Sequence, residues 1–240
     1  MSCIFPLIIF TSLFLTDQLK AYIAIPRYDM LLLICVTTQI LMLVTRFESI
    51  DELKVICVFH LIGILLELFK VNMGSWSYPE EAYSKLYGVP LYSGFMYASV
   101  ASYLCQAWRR LDVEIKEWPN SIMTIVLGAA IYLNFFTHHY TVDIRWWLIA
   151  LLFILFFRTR VLFRVRGHLY QMPITLAYFL IGFFVWVAEN IATFFKAWHY
   201  PYQQEAWLIV DLGKLSSWFL LVIVSFLIVA QLKMLKQEKG

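Results

Sequence analysis

A chain that returns again and again to runs of about 20 mostly apolar residues has few folds open to it, because inside a lipid layer backbone polar groups must bond within their own segment. Eight such stretches lie near 4–24, 29–46, 53–72, 88–108, 120–138, 143–162, 172–195 and 212–234. The first is interrupted by Asp17, Gln18 and Lys20, which stand near its end, where polar groups reach the interface. Composition agrees: 62% of the 240 residues are hydrophobic and 15% are charged, against about a quarter charged in a soluble domain. The reading is an all-α polytopic membrane bundle of about eight transmembrane helices, with the lipid bilayer as its surroundings.

Other classes drop away. A net charge of +3 is too small to argue for nucleic acid. Cys3, Cys35, Cys57 and Cys105 have no CxxC spacing and lie mostly in apolar runs, so they read as packed thiols. No cofactor motif is present. The start, MSCIFPLIIF, lacks the basic region of a cleaved leader, and neither end carries a lipidation motif.

Within the apolar pattern one motif occurs twice. Glu67 is followed by Trp76, Tyr78 and Pro79, and Glu189 by Trp198, Tyr200 and Pro201, all on one offset of 122 residues. The same offset carries the fifth to eighth stretches onto the first to fourth. The expected architecture is therefore two parallel four-helix repeats, 1–117 and 118–240, about an axis along the membrane normal. Lys and Arg set the orientation. With the amino terminus cytoplasmic, Arg46, Lys54, Arg109, Arg110, Lys116, Arg158, Arg160, Arg164, Arg166, Lys233, Lys236 and Lys239 fall inside, the majority of 19. Both termini then read as cytoplasmic. The strongest contribution is the basic loop expected at RTRVLFRVRG, before the seventh helix. Ser49 to Glu52 has capping-box spacing, Trp118 to Ser121 opens the fifth helix, Gly88-Val89-Pro90 breaks the chain before the fourth, and KMLKQEKG is a polar tail.

This topology puts both WxYP turns on the extracytoplasmic face, with Glu67 and Glu189 about two turns inside their helix ends. A charged carboxylate at a helix centre costs roughly 2.5–3.5 kcal/mol to insert, so such residues usually face a bundle interior and mark a functional path. Two facing carboxylates suit acid–base work or proton coupling. The alternative is a pair of Glu residues tied to neighbouring donors that lock helix packing. His60 precedes Glu67 by seven positions and so shares its helix face. It is a relay candidate, although its counterpart in the second half is Gly182. Trp76, Tyr78, Trp198 and Tyr200 are the aromatic residues expected to line the site. Asp211 and Lys214, three apart, are expected to pair as the eighth helix opens and are further substrate-binding candidates. His138, His139 and His199 are weak metal candidates, since no HxxxH or HxxEH spacing supports a site.

The run GSWSYPE…KLYGVPLYSGFMYASVASY, Gly74 to Tyr103, resembles the YoaT-like family of uncharacterised bacterial integral membrane proteins, and the similarity continues through ENIATFFKAWHYP. It implies a location in the bacterial cell (inner) membrane and no known activity. Glu67, Trp76, Tyr78 and Gly88 to Leu91 are also similar to membrane carotenoid hydratases and small lycopene cyclases, although Tyr92 and Ser93 stand where the cyclases carry paired acids. Three functions follow as expectations. One is an enzyme in which Glu67 or Glu189 protonates a lipophilic, isoprenoid-like small molecule. The second is a proton- or cation-coupled transporter or channel. The third is a non-catalytic scaffold.

Overall fold

The apolar stretches become helices where local sequence starts and stops them. The structure is a computed structural model that describes residues 2–237. The helices are α1 (Ile4–Leu19), α2 (Arg27–Val44), α3 (Ile50–Asn72), α4 (Ser93–Arg110), α5 (Ser121–Thr137), α6 (Arg145–Leu155), α7 (Ile174–Phe194) and α8 (Gly213–Gln237). Each overlaps one of the eight expected stretches, with ends displaced by a few residues. Of the polar tail, residues 238–240 lie outside the described residues. Two start signals act as read: Ser49 and Glu52 form a reciprocal capping box on α3, and the Asn120 side chain accepts from the N–H groups of Ile122 and Met123.

Span length supports the expectation of eight crossings only in part. Among the described residues four helical segments are long and apolar enough to cross a membrane: Arg27–Val44, Ile50–Asn72, Ile174–Phe194 and Gly213–Ala230. The 11 residues of α6 rise only about 17 Å, against a hydrocarbon core of about 30 Å. Helices α1 and α5 have 16 and 17 residues. Helix α4 carries Ser93, Gly94, Ser99, Ser102 and Gln106 and ends on Arg109-Arg110, so it is too polar. It also starts later than expected. Val89–Pro90 (β2) pairs with Lys85–Leu86 (β1) across a two-residue turn, in which Tyr87 and Gly88 have φ of 47° and 83°. Many large apolar side chains on the long helices remain exposed, among them Leu33, Ile40 and Leu41 on α2, Leu61 and Leu65 on α3, and Phe184 on α7. Such faces suit lipid better than water.

The chain forms two compact units. The first comprises residues 1–106 and 189–209. In it α1 packs along α2, and Phe5, Leu13, Tyr28, Leu31, Ile56, Tyr92 and Ala98 are buried. The second comprises residues 107–188 and 210–240. There α5 packs on α6 and α8, around Leu127, Ile131, Leu152, Phe156, Tyr178 and Ile223. The basic run expected as a loop is instead the hairpin of β4 (Arg160–Val165) and β5 (His168–Pro173), with β3 (Glu114–Lys116) added to β4. Arg166 and Gly167 turn the hairpin with φ of 50° and 83°, the paired positive values of a type I′ turn. Arg160 and Arg164 stay exposed while Val161 and Leu162 are buried, so one segment carries both the charge and a buried strand.

Arg27 fastens the returning segment 189–209 into the first unit. Its side chain is fully buried and faces the Glu80 carboxylate at 3.0 Å and Asp17 at 3.8 Å. It donates to the carbonyls of Leu13 at 3.0 Å, Phe195 at 2.6 Å and Lys196 at 3.3 Å, and to Thr16 Oγ1 at 3.3 Å. Only a planar fork of donors fits so many acceptors at once. Replacing Arg27 with Met removes the donors that hold the end of α7 to α1 and leaves Glu80 to Lys20, at 3.5 Å. Arg27→Met is expected to lose roughly 3 kcal/mol of stability in detergent-purified protein followed by tryptophan fluorescence, whereas Lys54→Met, at an exposed pair with Asp51, stays within about 1 kcal/mol.

Candidate functional site

The site begins with how two helices end. After α3, the Gly74 N–H bonds Val71 O at 3.0 Å and the Ser75 N–H bonds Lys70 O at 2.9 Å, with Gly74 at φ +67°. This is the Schellman ending, which needs a left-handed residue just past the helix. After α7 the same ending recurs: the Lys196 N–H bonds Thr193 O at 2.9 Å and the Ala197 N–H bonds Ala192 O at 3.0 Å, with Lys196 at φ 56°. Each ending swings its WxYP turn back against the helix it has left.

The turn after α3 delivers donors to Glu67, which is 3% exposed. Trp76 Nε1 donates to Oε2 at 2.7 Å, Tyr78 Oη to the same oxygen at 2.8 Å, and Tyr97 Oη, from α4, to Oε1 at 2.9 Å. None of these partners is basic. Tyr97 was not visible as a partner in the sequence. A marker existed in Gly63, where a Cβ would stand 2.5 Å from the Tyr97 ring. The turn after α7 repeats the core of this arrangement: Glu189 is equally buried, and Tyr200 Oη donates to its Oε1.

The two turns also touch. Ser77 and His199, which occupy the same place in the two motifs, form an antiparallel bridge, each N–H bonding the other's carbonyl at 2.9 Å. The rings pair reciprocally across it. Trp76 meets Tyr200 at 6.0 Å between centroids, and Trp198 meets Tyr78 at 6.5 Å. Tyr92 Oη, below them, donates to Ala197 O at 2.8 Å. The first unit therefore brings together Glu67, Glu189, Trp76, Tyr78, Trp198 and Tyr200.

The other expected residues lie elsewhere. His60 is not among the partners of Glu67. Its ring packs on Phe95 at 4.6 Å and against Gly94, where a Cβ would come within 2.7 Å, and its Nδ1 is buried with no hydrogen-bond partner. Asp211 and Lys214 belong to the second unit. Asp211 caps α8, its carboxylate accepting from the Gly213 N–H at 2.7 Å and its carbonyl from the Lys214 N–H at 2.9 Å. His138 and His139 end α5 in that unit with ring centroids 4.1 Å apart, and His199 sits in the first. Among the described residues no three His, Cys, Asp or Glu side chains form a ligand group. A cleft of about 670 Å³ in the second unit is lined by Glu117, Phe153, Phe157, Arg158, Arg160, Pro173 and Thr175, none of them an expected site residue.

Burial pushes the Tyr78 phenol well above the ordinary tyrosine range, with the Glu67 charge adding to it. Burial and then Glu189 do the same to Tyr200. The His199 imidazole is lowered by burial and by Lys196.

A family model described as "Protein of unknown function (DUF817)" matches residues 1–226. The chain is 63% identical over 238 residues to "Uncharacterized protein YoaT" of Bacillus subtilis (strain 168), covering 99% of this chain and 90% of that one. No solved structure matches. The similarity to carotenoid hydratases and cyclases gains no support from these matches, which carry no assigned activity.

Two outcomes follow from this geometry. Lys196 stands where the first motif has Gly74, so Lys196→Gly is expected to raise stability by about 1 kcal/mol through relief of the left-handed backbone, measured by thermal unfolding in detergent. Phenols whose folded pKa is raised stabilise the protein fully below their unfolded value, about 10, and that stability is lost as pH rises beyond it. Alkaline titration should show tyrosinate absorbance from Tyr78 and Tyr200 appearing only together with loss of helical circular dichroism.

Proposed function

The chain belongs to the DUF817 family of proteins of unknown function, and from that premise we propose that it is a multi-pass membrane protein whose Glu67–Glu189 cluster binds and releases a proton. In this reading the eight helices are two parallel four-helix repeats in a bacterial inner membrane, with both termini cytoplasmic and the cluster toward the extracytoplasmic side. The matching helix endings, the Ser77–His199 bridge and the reciprocal ring pairs support a local twofold relation between the motifs.

One observation carries the proposal. Glu67 is buried and held by three neutral donors, and among the described residues no cation pairs with it. A carboxylate in a membrane bundle is costly to retain and usually marks an ion or proton path. Phenol and indole donors stabilise its charged form without neutralising it, so a proton can add without breaking an ion pair. Glu189 with Tyr200 supplies the second station, and titrations of two such neighbours are coupled. Proton coupling, as in a proton- or cation-coupled transporter or channel, is favoured over acid–base chemistry on an isoprenoid-like substrate. The reason is packing: Trp76 and Tyr200, and Trp198 and Tyr78, pack on one another, whereas stabilising a substrate cation needs an open ring face. Trp76, Tyr78, Tyr97 and Tyr200 then act as positioning residues.

The test uses purified protein in liposomes that enclose a pH-sensitive dye, with an imposed membrane potential. Wild type is expected to carry proton flux above protein-free vesicles, and Glu67→Gln and Glu189→Gln each to lower it about tenfold, or about 1.4 kcal/mol in barrier terms, while remaining folded. Wild-type flux equal to that of empty vesicles overturns the coupling reading. In that case a change in the lipid extracts of expressing cells, seen by mass spectrometry, points to an enzyme, and unchanged extracts point to a scaffold.

A further inference from the structure

A second buried carboxylate lies at the opposite end of α3. Glu48, in the turn between α2 and α3, is 3% exposed. It is separated from Glu67 by nearly the whole helix, about 26 Å at 1.5 Å per residue. Gln39 Nε2 donates to its Oε2 at 2.6 Å, and Ser102 Oγ donates to its Oε1. Gln106 Nε2 lies 3.3 Å from that oxygen and 3.3 Å from Ser102 Oγ. Gln39, Ser102 and Gln106 are themselves buried. No Lys, Arg or His among the described residues pairs with Glu48.

Each glutamine spends its amide N–H on this cluster and keeps its carbonyl oxygen, Gln39 Oε1 or Gln106 Oε1, buried with no donor. A buried acceptor without a partner is unfavourable, and two of them beside an unpaired carboxylate is a one-sided imbalance. The cluster has acceptors in excess, and the element missing from it is positive charge.

We propose that Glu48, Gln39, Ser102 and Gln106 form a binding site for a monovalent cation of the sodium class. The available ligands are carboxylate, amide and hydroxyl oxygens, which select a hard cation, and no thiolate or imidazole favours a transition metal. A single carboxylate neutralises one positive charge. A divalent ion would leave a net charge in a buried site, which is strongly disfavoured. The site is separate from the Glu67–Glu189 cluster and does not depend on the role given to it.

The experiment measures radioactive sodium binding to the full-length protein in detergent, alongside its melting temperature in sodium chloride and in choline chloride at equal ionic strength. Saturable binding of one sodium per chain is expected, with a melting temperature that rises with sodium and not with choline. Glu48→Gln, which keeps the shape of the side chain, should weaken binding at least about tenfold. Ser102→Ala, the milder change, should weaken it severalfold with the helical circular dichroism unchanged, and the exposed Glu205→Gln should leave it as in wild type. Absence of saturable sodium binding in folded wild type overturns the proposal, as does wild-type binding in a folded Glu48→Gln protein.

Discussion

A carboxylate taken out of water must be given donors, and that requirement shapes the first unit around Glu67. Its three donors come from two places: Trp76 and Tyr78 on the turn just after α3, and Tyr97 on α4. Hydrogen bonds to a charged group contribute about 1.5–3 kcal/mol each, so the turn, the helix end and the neighbouring helix are held to one geometry. Gly63 lets α4 bring Tyr97 close, and the Schellman ending at Gly74 brings the turn back. The apolar helices alone would specify a bundle. The acid and its donors specify which surfaces meet.

The second motif is drawn into the same unit by backbone as much as by side chains. Arg27 binds the carbonyls that end α7, and the Ser77–His199 bridge closes one turn on the other. These contacts are reciprocal where the two motifs agree, as with Tyr78 on Glu67 and Tyr200 on Glu189. They diverge where the residues differ. Gly74 takes the left-handed position without strain, whereas Lys196 takes it with a side chain attached. The two carboxylates are therefore alike in construction and unequal in surroundings.

Much of this was legible in the sequence, for definable reasons. Helix positions followed from apolar runs, and Ser49 and Asn120 announced their helix starts because capping is local chemistry. The spacing from Glu67 to Trp76 and Tyr78 was legible because a helix end and its turn lie within one short segment. The remainder depends on contacts distant in sequence. Tyr97 is 30 residues from Glu67 and Arg27 is 168 from Phe195, and no periodicity links them. Arg27 did leave a trace, as a cation in the first turn of α2, where the helix dipole disfavours it. His60 has the spacing to share a face with Glu67, yet it packs on Phe95 and Gly94 instead. At RTRVLFRVRG charge dominated the reading, although the Arg-Gly turn between residues favouring strands was the stronger local signal. Among the described residues four of the expected spans are long and apolar enough to cross a membrane, and hydropathy did not reveal where a turn stops a helix, as it does after Leu155.

Proton exchange at the Glu67–Glu189 cluster has a direct signature in infrared difference spectroscopy. Protein reconstituted in lipid is titrated from acid to alkaline pH while the carboxyl C=O stretch is recorded. Protonation bands from buried carboxyl groups are expected, one lost in Glu67→Gln and another in Glu189→Gln, with the remaining band shifted in each variant because the two titrate together. A spectrum in which neither variant removes a band, so that both groups hold one protonation state across the range in which the fold survives, would contradict it.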